Sequence, residues 1–228
     1  MYLWKCWRDT RSFYFAFVVV AGVAMPVIGL GSSGTNVMRD VGMVAFSGTF
    51  GLIMMVTGLG LGALGAAHEF AEQATHFLFT KPRSRLYFVW AGCSVGCMEI
   101  LSIAVVYLVA SWATLALYGI RPFRSPLLGS IEERNMVEML LFGLFAYALT
   151  YSLTATLRNG LKGLGGSLGI LTGLNAFGVL MRVRWNVHVP IPVEKIGSLP
   201  LAASYLVWMS IALLFVYAAQ VAIERAEI

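Results

Sequence analysis

The chain has 228 residues, of which 59% are hydrophobic and 12% charged. A soluble domain of this size carries roughly a quarter charged residues, so a water-exposed globular fold is excluded. The formal charge of +5 comes from 16 Lys and Arg against 11 Asp and Glu. These basic residues flank apolar runs and form no stripe with interleaved aromatics, so they read as topology signals and not as a nucleic-acid surface.

The apolar runs are long and do not alternate residue by residue, which argues against a membrane β-barrel. Helices remain, because they satisfy their backbone groups internally in lipid. The expected fold is therefore an all-α integral membrane protein with six transmembrane helices in a single domain, residues 1–228.

In chain order, residues 1–12 form an amphipathic lead-in. Leu3, Trp4 and Trp7 recur at helical spacing, opposite Lys5, Arg8 and Asp9. Such a stretch is expected to lie in the headgroup layer as an interfacial helix. The first span covers residues 13–30; its apolar run exceeds a signal-peptide core of roughly 7–15 residues, so it reads as a retained helix. The second, 41–67, is rich in glycine. The third, 86–118, is longer than a bilayer core of roughly 30 Å requires, so it must tilt, break or project into water. A charged loop leads to the fourth span, 136–157. The tight connection Arg158, Asn159, Gly160 turns the chain into the fifth, 163–181. A loop with Pro190, Pro192 and Pro200 precedes the sixth, 201–223.

With the amino terminus inside, the cytosolic segments hold nine basic residues (Lys5, Arg8, Arg11, Lys81, Arg83, Arg85, Arg158, Lys162, Arg225) and the outer loops hold seven. Nine against seven is a small excess that favours both termini in the cytosol under the positive-inside rule, and a plasma (inner) membrane is the expected location.

Residues 68–85, between spans two and three, carry the most information. Phe70, Ala74, Phe77 and Leu78 share one helical face, with Glu69, Glu72, Gln73 and His76 around the rest. Pro82 ends the helix, and Arg83 and Arg85 stand at the re-entry into lipid. The periodicity fits a short surface helix whose apolar ridge enters a partner's groove, and it fits a plain interfacial connector equally well.

This stretch resembles the signature of ABC-2-type ABC transporter permeases. In that family an acidic residue ends the second span, and a helix with an apolar run closes on Pro-x-Ser-Arg. Here Glu69, then Phe77, Leu78 and Phe79, then Pro82, Arg83, Ser84 and Arg85 occupy those places. Ser152, Thr154, Thr156 and Arg158 echo the family's hydroxyl-rich end of span four. The chain departs from the family at Gln73 and Ala74, where Gly-Thr is frequent, and at Cys93, near a frequent lysine.

The resemblance implies a coupling helix docking on a separate cytosolic ABC ATPase through Glu69, Phe70, Glu72, Phe77, Leu78, Pro82 and Arg85. It also implies a second permease subunit, identical or homologous, and export as the direction. The chain lacks the phosphate-loop motif G-x-x-x-x-G-K-[ST], so no enzyme activity and no cofactor are expected in it, with Mg-ATP held by the partner ATPase.

Glu99 is the only acidic residue well inside an expected span, and an intramembrane carboxyl is a functional hypothesis by default. Three roles suit it: lining a substrate path with Tyr107 and Tyr151, exchanging protons as part of a gradient-driven transporter or channel, or tying to a Ser or Thr of a neighbouring helix. Gly58 and Gly62, and Gly165, Gly169 and Gly173, repeat every four residues, which permits close helix approach within one subunit or at a dimer seam. Cys93 and Cys97 share a helical face, but metal needs three or four convergent ligands, so no metal site is expected. Ser33, in a G-x-S-G pattern similar to rhomboid-type proteases, lies in a loop with no histidine in any expected span, which argues against a nucleophile.

Overall fold

The computed structural model describes residues 2–31, 38–70, 85–117, 131–190 and 192–225. Among these residues there are six α-helices and no strand: α1 Tyr2–Gly31, α2 Met38–Phe70, α3 Arg85–Leu117, α4 Ile131–Leu157, α5 Gly160–Trp185 and α6 Leu201–Arg225. Five stretches within α2 to α6 are long and apolar enough to cross a membrane. The protein is a multi-pass helical membrane protein.

Five of the six expected spans are thus long and apolar enough to cross a membrane, α1 not being among them, and two further differences are informative. The amphipathic lead-in and the first span are one unbroken helix of 30 residues, which also continues through Pro26. The separate interfacial helix expected over residues 1–12 is thus corrected. Its cause is tertiary: Cys6 and Thr10 are buried, so this segment packs along the bundle while Trp4, Arg8 and Arg11 stay exposed. α3 is likewise one helix of 33 residues, about 50 Å long at 1.5 Å per residue. Breaking is therefore not how it meets the bilayer thickness; tilt or projection into water remains.

Contact registers set the direction of each helix. Thr10 meets Glu99 and Tyr14 meets Ser102, so α1 and α3 run parallel. Gly51 faces Met139 and Gly62 faces Tyr147 and Thr150, so α2 and α4 run parallel too. Phe13 lies on Gly60 while Thr10 lies by Gly65, making α1 and α2 antiparallel. Tyr147 and Tyr151 of α4 reach Gly92 and Val89 of α3 in reverse order. The helices thus alternate up and down. The ends of α2 and α3 that flank residues 71–84 lie at the same end of the bundle as the α4–α5 turn.

That turn is built locally. Asn159 caps α5 with an extended backbone, its side chain accepting from Lys162 N at 3.0 Å. At the far end, Asn186 closes α5 in the left-handed conformation, and its N–H bonds Arg182 O at 3.1 Å. Arg182 and Arg184 in the last turn suit the negative end of the helix dipole.

The core lies between α2, α3 and α4. Phe50, Met54, Leu61, Ile100, Tyr107 and Tyr151 are among its fully buried side chains. The closest approach is α2 against α4. A Cβ on Gly58 would collide with the Gly143 carbonyl, and one on Gly62 would lie 2.8 Å from Tyr147 O. α5 sits at the periphery: 11% of its apolar stretch is buried, against 56% for α2. In lipid such an open apolar face is ordinary, since hydrocarbon replaces water as its surroundings.

Candidate functional site

The clearest concentration of buried polar chemistry is at the α1–α3 contact. Glu99 is 4% exposed. Its Oε1 is hydrogen-bonded with Thr10 Oγ1 at 2.6 Å, and its Oε2 is buried without a hydrogen-bond partner. Thr10 Oγ1 also lies 3.2 Å from Cys6 O and 3.3 Å from Trp7 O. One turn further along, Ser102 Oγ is 3.1 Å from Tyr14 Oη and donates to Glu99 O at 2.8 Å. Among the described residues no Lys, Arg or His forms an ion pair with Glu99; the nearby charges of α1, Arg8 and Asp9, pair with each other at 3.6 Å.

Glu99 thus has a threonine of a neighbouring helix as its hydrogen-bond partner. Tyr107 and Tyr151 sit elsewhere. Tyr107 is fully buried with its ring 5.1 Å from that of Phe50 on α2. Tyr151, also fully buried, donates to Val89 O of α3 at 3.2 Å. Glu99, Tyr107 and Tyr151 thus meet three different helices and do not converge within one chain. All three side chains are enclosed in the core of the single chain.

Of the residues assigned to ATPase coupling, Glu69 and Phe70 are the last two residues of α2 and Arg85 is the first of α3. Glu72, Phe77, Leu78 and Pro82 lie outside the described residues, as does Ser33. The glycine repeats divide. Gly58 and Gly62 pack against α4, while Gly165, Gly169 and Gly173 have no atom within 4 Å of a would-be Cβ. These three are on the open side of α5, opposite buried Gly163, Ser167 and Gly178. Packing within the chain is thus corrected for this second set, because α5 lies at the edge of the bundle. Among the described residues no three His, Cys, Asp or Glu side chains converge on a metal-sized site.

Three polar features were not singled out from sequence. Tyr147 donates to Gly92 O at 3.1 Å, and with Tyr151 it pins α4 to α3. The spacing of two tyrosines by four residues in an apolar run was the available signal. At the other end, Arg134 Nε bonds Glu138 Oε1 at 2.9 Å, and Tyr205 Oη donates to the same oxygen at 3.0 Å. In the α5–α6 loop, Arg182 Nη2 lies 2.7 Å from His188 Nδ1, and His188 Nε2 lies 3.4 Å from Glu194 Oε2. Trp208 Nε1 donates to Glu194 O at 2.9 Å, holding this loop on α6. Arg134 and Glu138 have the i, i+4 spacing of one helix face, whereas Tyr205 is 67 positions from Glu138 and periodicity does not reveal it.

No protein-family model, curated protein or solved structure matches the chain. Any functional reading thus rests on the chain's own residues and their placement.

Proposed function

We propose that this chain is the membrane-spanning permease subunit of an ABC-2-type ATP-driven transporter, working as an exporter beside a separate cytosolic ABC ATPase. The observation that carries the reading is the pattern from Glu69 through Phe77 and Leu78 to Pro82 and Arg85. Two further features support it. The pattern joins two long helices of a multi-pass bundle, and the turn between α4 and α5 at the same end is also basic, with Arg158 and Lys162.

In this reading residues 69–81 form the coupling helix. Phe77 and Leu78 supply the apolar ridge that enters a cleft of the ATPase, and Glu69 and Glu72 meet basic groups at its rim. ATP binding closes two ATPase subunits, and α2 and α3 transmit that movement to the bundle. Two permease subunits, identical or homologous, enclose the path. The open glycine face of α5 supports such an assembly. Both termini are cytosolic and the membrane is the plasma (inner) membrane. Mg-ATP belongs to the partner, and this chain performs no catalysis.

The test is co-purification of the full chain with a cytosolic ABC ATPase expressed alongside it. Asp replacing both Phe77 and Leu78 is expected to reduce recovered ATPase at least tenfold while the permease still reaches the membrane. An intact complex, or ATPase activity that never depends on the chain, would sink the reading.

The buried Glu99 favours one second reading, a gradient-driven transporter or channel that works through this carboxyl. Transport by Glu99→Gln at the wild-type rate, with ATP and without a gradient, decides against it.

A further inference from the structure

We propose that Glu99 is a proton-binding site: in the packed bundle its carboxyl group is protonated and donates the 2.6 Å hydrogen bond to Thr10 Oγ1. This proposal does not depend on the permease reading.

The argument is a count of hydrogens. A threonine hydroxyl has one hydrogen to give and two lone pairs to receive. Six hydroxyls of this bundle spend that hydrogen on their own helix. Ser111, Thr114, Thr150, Ser152, Thr156 and Ser167 each donate to the carbonyl four residues earlier at 2.6–2.8 Å. Thr10 has the same opportunity at Cys6 O, 3.2 Å away. If its hydrogen goes there, the short contact to Oε1 must be donated by Glu99. If the hydrogen goes to Glu99 instead, Oγ1 faces the Cys6 and Trp7 carbonyls with no hydrogen between those oxygens.

The distance of 2.6 Å suits either direction, and the other carboxyl oxygen decides. An ionised carboxylate presents about four acceptor sites and needs donors or a cation. Here Oε2 is buried with no partner. Among the described side chains, none forms an ion pair with Glu99. On α1 the neighbouring ionisable groups are Cys6, Tyr14, and the mutually paired Arg8 and Asp9, with Arg11 exposed. On α3 itself they are Cys93 and Cys97, on either side of Gly96. α4 brings Tyr147, whose hydroxyl donates to Gly92 O, and α2 brings Gly65 against Thr10. With the proton on Oε1, one oxygen donates to Thr10 and the other is an unpartnered neutral carbonyl oxygen, a far less costly orphan than half a charge.

The consequence is a proton held at the seam of two parallel helices. Its departure leaves a bare carboxylate with one neutral hydroxyl beside it, and α1 must move or water must enter. The α1–α3 seam is therefore a place where a proton is exchanged for a change in helix packing.

The test uses the full chain in lipid nanodiscs at neutral pH, read by infrared difference spectroscopy. Glu99→Gln is expected to abolish one protonated-carboxyl carbonyl band completely. Thr10→Val, which removes the acceptor, shifts that band, and exchange of Na⁺ for K⁺ leaves it in place. Gln is neutral and nearly isosteric with the protonated acid, so Glu99→Gln is expected to fold as the wild type does. Loss of only carboxylate stretches in Glu99→Gln overturns the proposal. So does a band unmoved by Thr10→Val, one that appears only when Na⁺ is withdrawn, or a Glu99→Gln chain that purifies only as aggregate.

Discussion

A methyl group added to Gly58 would meet the carbonyl of Gly143, a backbone atom that no side-chain rotation can clear. At Gly169 the same group meets nothing. Two glycines from similar four-residue repeats therefore have opposite tolerance. Gly58→Leu is expected to destabilise the bundle by about 1–3 kcal/mol or more, as overpacking does. Gly169→Leu is expected to stay within about 0.5 kcal/mol, as open-surface changes do. Thermal unfolding of both variants in the same detergent checks the pair; equal losses would contradict the placement of α5. The tyrosine anchors are a gentler case. Tyr147→Phe removes the bond to Gly92 O, and interhelical hydrogen bonds in membranes average about 0.6 kcal/mol. Glu99 was visible in sequence as a lone carboxyl in an apolar run. Its partner was not: Thr10 is 89 positions away and sits in a stretch whose composition favours the headgroup layer.

Among the elements, α1 and α5 teach the most. The lead-in of α1 has the amphipathic pattern of an interfacial helix, and hydrophobic patterning alone places it in the plane of the membrane. Burial of Cys6 and Thr10 keeps it collinear with the first span instead. For α5, the ends were legible, because Asn159 followed by Gly160 is a turn signal with its own capping chemistry. Which of its faces packs was not legible, since Gly163, Ser167 and Gly178 on the buried side differ little in type from Gly165, Gly169 and Gly173 on the open side. If the open face receives a second subunit, Gly169→Ile should reduce energy transfer between differently labelled copies in one membrane at least fivefold. Unchanged self-association would assign that face to lipid.

For the whole molecule, the alternation of helix direction makes a prediction independent of ATP. In a chain with Cys6, Cys93 and Cys97 replaced, single cysteines at Lys162 and Lys195 should react with an impermeant maleimide from opposite sides of the membrane. In intact cells the proposed orientation leaves position 162 protected and position 195 labelled. Labelling of both from one side would overturn the alternation, and the reversed pattern would overturn the orientation and with it the cytosolic position of residues 71–84. The peripheral placement of α5 and α6, set against a core of α2, α3 and α4, further predicts that lipid composition affects the former pair first.

Composition and patterning by themselves determined that this protein is a bundle of long helices for a membrane. They also placed the helix boundaries to within a few residues, apart from the interfacial break in α1 and the longer ends of α4 and α5. Lipid imposes those features through local rules: apolar length, internally satisfied backbone, caps and charges at the ends. Only the tertiary structure decided which glycines are contacts, that Tyr107 and Tyr151 are enclosed, and that Glu99 is tied to Thr10. Those outcomes depend on which faces of different helices meet. Packing between helices in lipid is set by close shape and by pairs of polar atoms distant in sequence, and neither has a period along the chain.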